Sequence, residues 1–168
     1  MRIETASGHT ILADNADYPL IRDYQWWISK HANGRLYACA HVPGSGTRLK
    51  RRIKMHRLLM QPPPELIVHH KNNNGLDNRR SNLQVTTTRV NIRYAHMSCD
   101  RVYQQDGRWR AQPRDETGNR ISLGGYDTKE EASAVVQNWR YRKMLELEKR
   151  GDRESMDLAA LIWEDLKL

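Results

Sequence analysis

The sequence predicts an α+β protein, and three observations carry that expectation. Short apolar runs of strand length alternate with strong turn signals such as Asn33-Gly34, Asp106-Gly107 and Gly118-Asn119. One run, Arg48 to Met55, has period two, with Leu49, Arg51, Ile53 and Met55 on one face and Arg48, Lys50, Arg52 and Lys54 on the other. Two segments switch to helical periodicity directly after a capping residue, one behind Thr86-Thr87-Thr88 and one behind Thr128-Lys129-Glu130-Glu131.

The first sixty residues read as a β-rich lead-in. Thr10 to Ala13 is a strand, and Asp14-Asn15-Ala16-Asp17 is a turn. Asp17 to Tyr24 is a short helix ahead of Trp26-Trp27-Ile28. Asn33-Gly34 closes a hairpin onto Leu36 to Val42, and Pro43-Gly44-Ser45-Gly46 turns into the alternating basic strand. Met55 to Met60 makes one or two helical turns, stopped by Pro62-Pro63-Pro64.

Composition narrows the class of partner. The 168 residues carry a net charge of +8. Residues 1–97 hold 15 Lys/Arg against 6 Asp/Glu, a net +9; residues 98–150 hold 11 against 9, a net +2; residues 151–168 hold 2 against 5, a net −3. A polyanion is the natural partner for such a field, nucleic acid above all, with a merely basic surface as the plain alternative. Cys39 and Cys99 form no CxxC pair, which excludes a zinc ribbon and a disulfide scaffold. No apolar run approaches a membrane span, and Met1-Arg2-Ile3-Glu4-Thr5 opens no signal peptide, so a cytoplasmic protein without a membrane is expected.

The informative stretch is 66–95. Leu66-Ile67-Val68 runs into His69-His70, then Lys71-Asn72-Asn73-Asn74-Gly75-Leu76-Asp77-Asn78-Arg79-Arg80-Ser81-Asn82 makes a polar loop. Leu83 and Val85 mark a second strand, and a helix carrying Asn91 follows. This strand–loop–strand–helix resembles the HNH nuclease motif, the ββα-metal fold of phage and intron homing endonucleases. The Asn-Gly-Leu-Asp-Asn-Arg-Arg-Ser-Asn-Leu run is close to that family's wording. The lead-in through Trp26-Trp27 to His56-Arg57-Leu58 also resembles the N-terminal part of phage HNH proteins, which places His56 near the site or in a structural role.

The resemblance implies a chemistry. His70 matches the general base, and Asn82 the middle Asn that bonds across the loop and orients it. His69 and Asn91 match the two ligands of one divalent metal ion. Many homing members carry Asp where this chain has His69, whereas colicin nucleases have His-His. Losing that charge weakens the site for Mg²⁺ and favours Mn²⁺, Co²⁺ or Ni²⁺ in relative terms. Arg57, Arg79, Arg80 and Arg93 are candidates for holding phosphates, with the choice among them open.

Residues 98–150 read as three strands and a helix. Arg101 to Gln105, Arg108 to Arg114 and Arg120 to Gly124 are the strands, and the helix runs from the capping box to about Lys149. Ala132, Val135, Val136 and Trp139 face the sheet by spacing. With Leu123-Gly124-Gly125-Tyr126-Asp127-Thr128 at the junction, this unit resembles the AP2 DNA-binding domain, a small three-stranded antiparallel sheet packed on one helix. In that family the sheet lies in the major groove. Trp109, Ala111 and Pro113 would pack inward, leaving Arg110, Gln112 and Arg114 toward DNA. Tyr103, Gln105, Arg108, Arg120 and Ser122 are the matching candidates on neighbouring strands. A solvated sheet face is the alternative. Residues 151–168 start with a helix stop, Gly151-Asp152. They continue as an acidic helix that either packs back through Leu158, Leu161, Ile162 and Leu166 or pairs with another chain.

The expected organisation is an HNH nuclease domain (1–97), an AP2-like domain (98–150) and an acidic C-terminal helix or tail (151–168). The expected activity is metal-dependent endonuclease cleavage of double-stranded DNA, by a nick from a monomer or a double-strand break from a homodimer or sequential nicks. The rivals are a non-catalytic DNA-binding regulator and an RNase; the AP2-like sheet argues against the latter, since it needs the wide B-form groove.

Overall fold

The computed structural model describes residues 1–32, 34–42, 51–98 and 101–166. They form a mixed α+β protein with small antiparallel sheets and five helices among the described residues. The chain divides into two compact units, Met1–Val85 and Thr86–Leu168. No helix among the described residues is long and apolar enough to cross a membrane.

In the first unit, β1 (Arg2–Glu4) and β2 (Thr10–Leu12) pair antiparallel. A 3-10 turn at Asn15–Asp17 leads into α1 (Tyr18–Ile21), where Pro19 sits in the first turn, a position that needs no amide donor. Strands β3 (Trp27–Lys30), β4 (Leu36–His41) and β5 (Arg52–Lys54) make an antiparallel meander in sequence order. Gly34 at the β3–β4 connection has φ +81°, a conformation costly for other residues. Its partner Asn33, the Pro43–Gly46 turn and the first residues of the expected basic strand lie outside the described residues.

α2 (Met55–Met60) follows β5 directly and ends on Gln61 in the left-handed region, with the three prolines beyond it. One face of the meander, with Ile28 and Ala38, packs on Ile11, Ile21, Met55 and Leu59 to form the core of this unit. The period-two pattern of β5 places Arg52 and Lys54 opposite His41 and Cys39 on the other face. β6 (Ile67–His70) and β7 (Leu83–Thr86) form a two-stranded sheet, and β6 ends on the histidine pair.

The second unit begins with α3 (Thr88–Met97), whose Thr87 hydroxyl accepts the Val90 amide at 3.1 Å as an N-cap. β8 (Val102–Gln105) and β9 (Arg108–Ala111) are joined by Asp106 (φ +52°) and Gly107 (φ +75°), the two left-handed residues of a type I′ hairpin. The third strand is β10 (Gly124–Tyr126), which corrects the expected strand at 120–124. Residues 120–123 follow 111–114 through an isolated Arg114–Arg120 bridge and two amide bonds, Ile121 N–H to Pro113 O and Leu123 N–H to Ala111 O, both 2.9 Å. Pro113 has no amide donor, so regular pairing breaks there.

α4 (Lys129–Arg150) starts with the complete Thr128–Glu131 capping box and stops at Gly151 with φ +71°. α5 (Arg153–Leu166) runs through the acidic tail. α4 serves two layers. Ala132 and Val136 pack with Val102, Trp109, Ala111 and Tyr126 beneath the sheet. Further along, Met144 and Leu147 pack with Val90, Tyr94 and Met97 of α3 and with Leu158, Leu161 and Ile162 of α5. Trp139 belongs to this helical layer and not to the sheet side, a correction to its expected facing. The last helix therefore packs back on its own unit, and the buried Arg140 guanidinium pairs with Asp165 across it.

Candidate active site and nucleic-acid face

The loop between β6 and β7 is held by side chain to backbone bonds together with backbone bonds and an ion pair. Asn74 N–H donates to Asn72 Oδ1 (3.0 Å) and Leu76 N–H to Asn74 Oδ1 (3.1 Å), two successive Asx turns. Asn82, 8% exposed, closes the loop from the other end. Its Nδ2 donates to Asp77 O at 2.7 Å, and its Oδ1 accepts Asn72 N–H at 3.0 Å. Lys71 N–H also donates to Asn82 O at 2.9 Å.

Gly75 sits where β4 comes closest. A Cβ there would stand 2.2 Å from Leu36 O and 2.8 Å from the Tyr37 ring, so only glycine fits. The loop is tied to β2 by Leu12 N–H to Leu76 O (2.9 Å) and Asn78 N–H to Leu12 O (2.8 Å).

Two of the arginine candidates help hold this loop. Arg79 grips Asp77 with Nε at 2.8 Å and Nη2 at 2.7 Å, and that guanidinium keeps the Asp77 carboxyl below the usual carboxylate range. Arg80 reaches back to the Asp-rich turn of the lead-in, with Nε and Nη2 on Asp17 and its amide on Asp14 Oδ2 at 2.8 Å. Bidentate pairs of this kind fix geometry as well as charge. Arg57 donates to Leu66 O at 3.1 Å. In the second unit, Arg93 lies 3.7 Å from Glu154 of α5.

His69 and His70 end β6 on opposite faces of the strand, and both are buried, 5% and 6% exposed. His70 Nε2 lies 3.4 Å from Asn78 Oδ1. In the tautomer with the proton on Nε2, His70 donates to this oxygen and its lone pair sits on Nδ1. Asn78, fully buried, is thus the residue that touches His70, while Asn82 acts on the loop around it.

The His70 ring also meets His56 edge to face, with centroids 5.0 Å apart, and Tyr37 at 5.9 Å. Burial pushes the His70 imidazole down to about 4, helped by the charges of His69 and Arg35; the Asn78 bond and Asp77 oppose the shift. Burial takes His56 to about 3, with His70, Lys54 and Arg57 adding to the effect. Both imidazoles are therefore neutral near pH 7.

Asn91 lies in α3 of the second unit, partly buried, with its amide bonded to Thr87 O at 3.1 Å. Among the described residues no three His, Cys, Asp or Glu side chains gather as a metal cage. Of the two metal ligands that the resemblance implies, His69 lies in the first unit, and an imidazole suits a borderline divalent ion better than a hard one.

The sheet of the second unit separates its faces by register. Tyr103 lies opposite Arg110, and Gln105 opposite Arg108, on the side away from α4. Tyr103 OH donates to Gln112 Oε1 at 3.3 Å, which joins two of the candidates. The Arg110 side chain lies over Gly125, where an added Cβ would come within 3.0 Å of it. Arg108 makes an exposed pair with Asp127 at 3.2 Å, a contact easily exchanged for a phosphate. Arg120 and Ser122 are exposed, whereas Arg114 donates to Gly118 O at 2.5 Å and braces the 115–119 turn.

The structure thus gathers Tyr103, Gln105, Arg108, Arg110 and Gln112 on one face, and His70 with its loop in the first unit. Sequence reasoning missed Asn78 and Tyr37 as neighbours of His70. Asn78 stood inside the quoted loop motif; Tyr37 carried no signal, because it arrives from β4. Set beside known proteins, the chain matches no protein-family model, no curated protein and no solved structure.

Proposed function

We propose that this chain is a metal-dependent DNA endonuclease. It hydrolyses a phosphodiester to a 5′ phosphate and a 3′ hydroxyl, and its second unit reads sequence with the outer sheet face. The observation that carries the reading is His70: a neutral imidazole at a strand end, bonded to Asn78 inside a loop that Asn82 closes. Its Nδ1 lone pair takes the proton of the attacking water. Asn82 is a positioning residue, since its bonds go to the loop backbone and not to the imidazole.

A divalent metal ion bound through His69 would supply charge neutralisation at the phosphorane and help for the leaving oxygen. Asn91, in the second unit, keeps only the ligand role that the resemblance gives it. Arg110 and Gln112 are matched to guanine and adenine edges, each good bidentate pair giving about 1–3 kcal/mol of discrimination.

The test is a plasmid assay on supercoiled source DNA with EDTA, Mg²⁺ or Mn²⁺, with His70→Ala alongside. Metal-dependent open-circle or linear product, lost in the variant while binding persists, supports the reading; full cleavage by the variant removes His70 from the base role. A second reading, a DNA-binding regulator without catalysis, is favoured by the burial of both histidines. It predicts salt-sensitive binding and no cleavage with any metal.

A further inference from the structure

Strands β4 and β5 and helix α2 enclose a cleft of about 570 Å³, within the range of small-ligand sites. Its walls include Arg51, Arg52, Lys54 and Arg57, with no carboxylate among the described residues that line it. Four cations brought together without an acid favour an anion between them.

His56, 6% exposed, lines the same cleft beside Lys54 and Arg57.

We infer that this cleft seats a phosphate group of the nucleic-acid strand, held by Lys54 and Arg57 and completed by Arg51 and Arg52. Lys54 is already in place, its ammonium 4.6 Å from the centre of the Tyr37 ring. Arg57 is steadied by its bond to Leu66 O. Burial, together with the charges of Arg52 and Arg57, holds the Lys54 ammonium below its usual range, and an anion in the cleft relieves that repulsion. The inference rests on the nuclease reading for the identity of the strand. The phosphate chemistry is the same whether the group is an internal diester or the terminal phosphate left by cleavage.

The experiment is fluorescence anisotropy in EDTA, where no cleavage occurs, on a short duplex with 5′-phosphate or 5′-hydroxyl ends. Wild type is compared with Lys54→Gln, Lys54→Arg and Arg57→Gln, and with Lys30→Gln as an equal loss of charge elsewhere on the unit. Lys54→Gln and Arg57→Gln should each weaken binding about tenfold, the size of one charge-assisted contact, while Lys54→Arg restores it and Lys30→Gln changes it less.

Dependence with both duplexes assigns an internal phosphate; dependence with the phosphorylated one alone assigns a terminal phosphate. The inference is overturned if the cleft variants stay within about twofold of wild type, if Lys30→Gln matches them, or if wild type binds neither duplex. Wild-type cleavage in the plasmid assay is scored separately, so the cleft and the nuclease reading fail independently.

Discussion

Replacing Asn82 by Ala removes two bonds at once, and the structure sets the size of the effect. Asp77 O loses its Nδ2 donor at 2.7 Å, and Asn72 N–H loses its Oδ1 acceptor at 3.0 Å. The Asn82 site is nearly closed to water at 8% exposure, so solvent reaches the vacated groups poorly. A net hydrogen bond contributes about 0.5–1.5 kcal/mol, and a buried group left unbonded costs about 1–3 kcal/mol, which gives roughly 2–4 kcal/mol for the pair.

That is a large fraction of a typical domain stability of about 5–15 kcal/mol. Urea unfolding followed by tryptophan fluorescence should show a lower midpoint at unchanged slope. Because Asn78 belongs to the same loop, cleavage should fall even where the variant is still folded. A loss under about 0.5 kcal/mol with intact cleavage refutes the idea that Asn82 holds the loop.

Acid should loosen the first unit through its two buried histidines. His56 and His70 are held to about 3 and about 4 in the folded chain, against an ordinary value of 6.5. Above pH 6.5 both states carry neutral rings. Below it the unfolded chain takes up protons that the folded one refuses, so stability falls from pH 6.5 toward 4, by up to about 1.4 kcal/mol per pH unit for each group. A urea midpoint that stays flat between pH 7 and 5 contradicts this. Gly75→Ala should destabilise markedly, since its Cβ meets backbone at Leu36 that cannot rotate away; an unchanged melting temperature would show that β4 yields easily. Arg110→Ala and Gln112→Ala should relax sequence preference in a site-selection experiment, and identical selected sites in both variants would remove the sheet face from DNA reading.

Sequence alone determined the features whose cause is local. The Thr128–Glu131 box and Gly151 bound α4 because capping and left-handed φ act within one turn. Asp106-Gly107 made its hairpin, and alternation put Trp109 and Ala111 under the sheet with Arg110 above it, because strand periodicity needs no distant partner. The strand end at His69-His70 and the Asx-rich loop were legible for the same reason.

Tertiary structure decided whatever depends on residues remote in sequence. Arg80 meets Asp17 and His70 meets His56 and Tyr37 only because β2, β4 and α2 converge on the loop. Trp139 turned to the helical layer because α5 came back to cover it. The third strand shifted to 124–126 because Pro113 withholds a ladder donor from its neighbour. Long-range contacts of this kind leave no periodic mark on the chain: burial and charge pairing select them only when the whole unit closes.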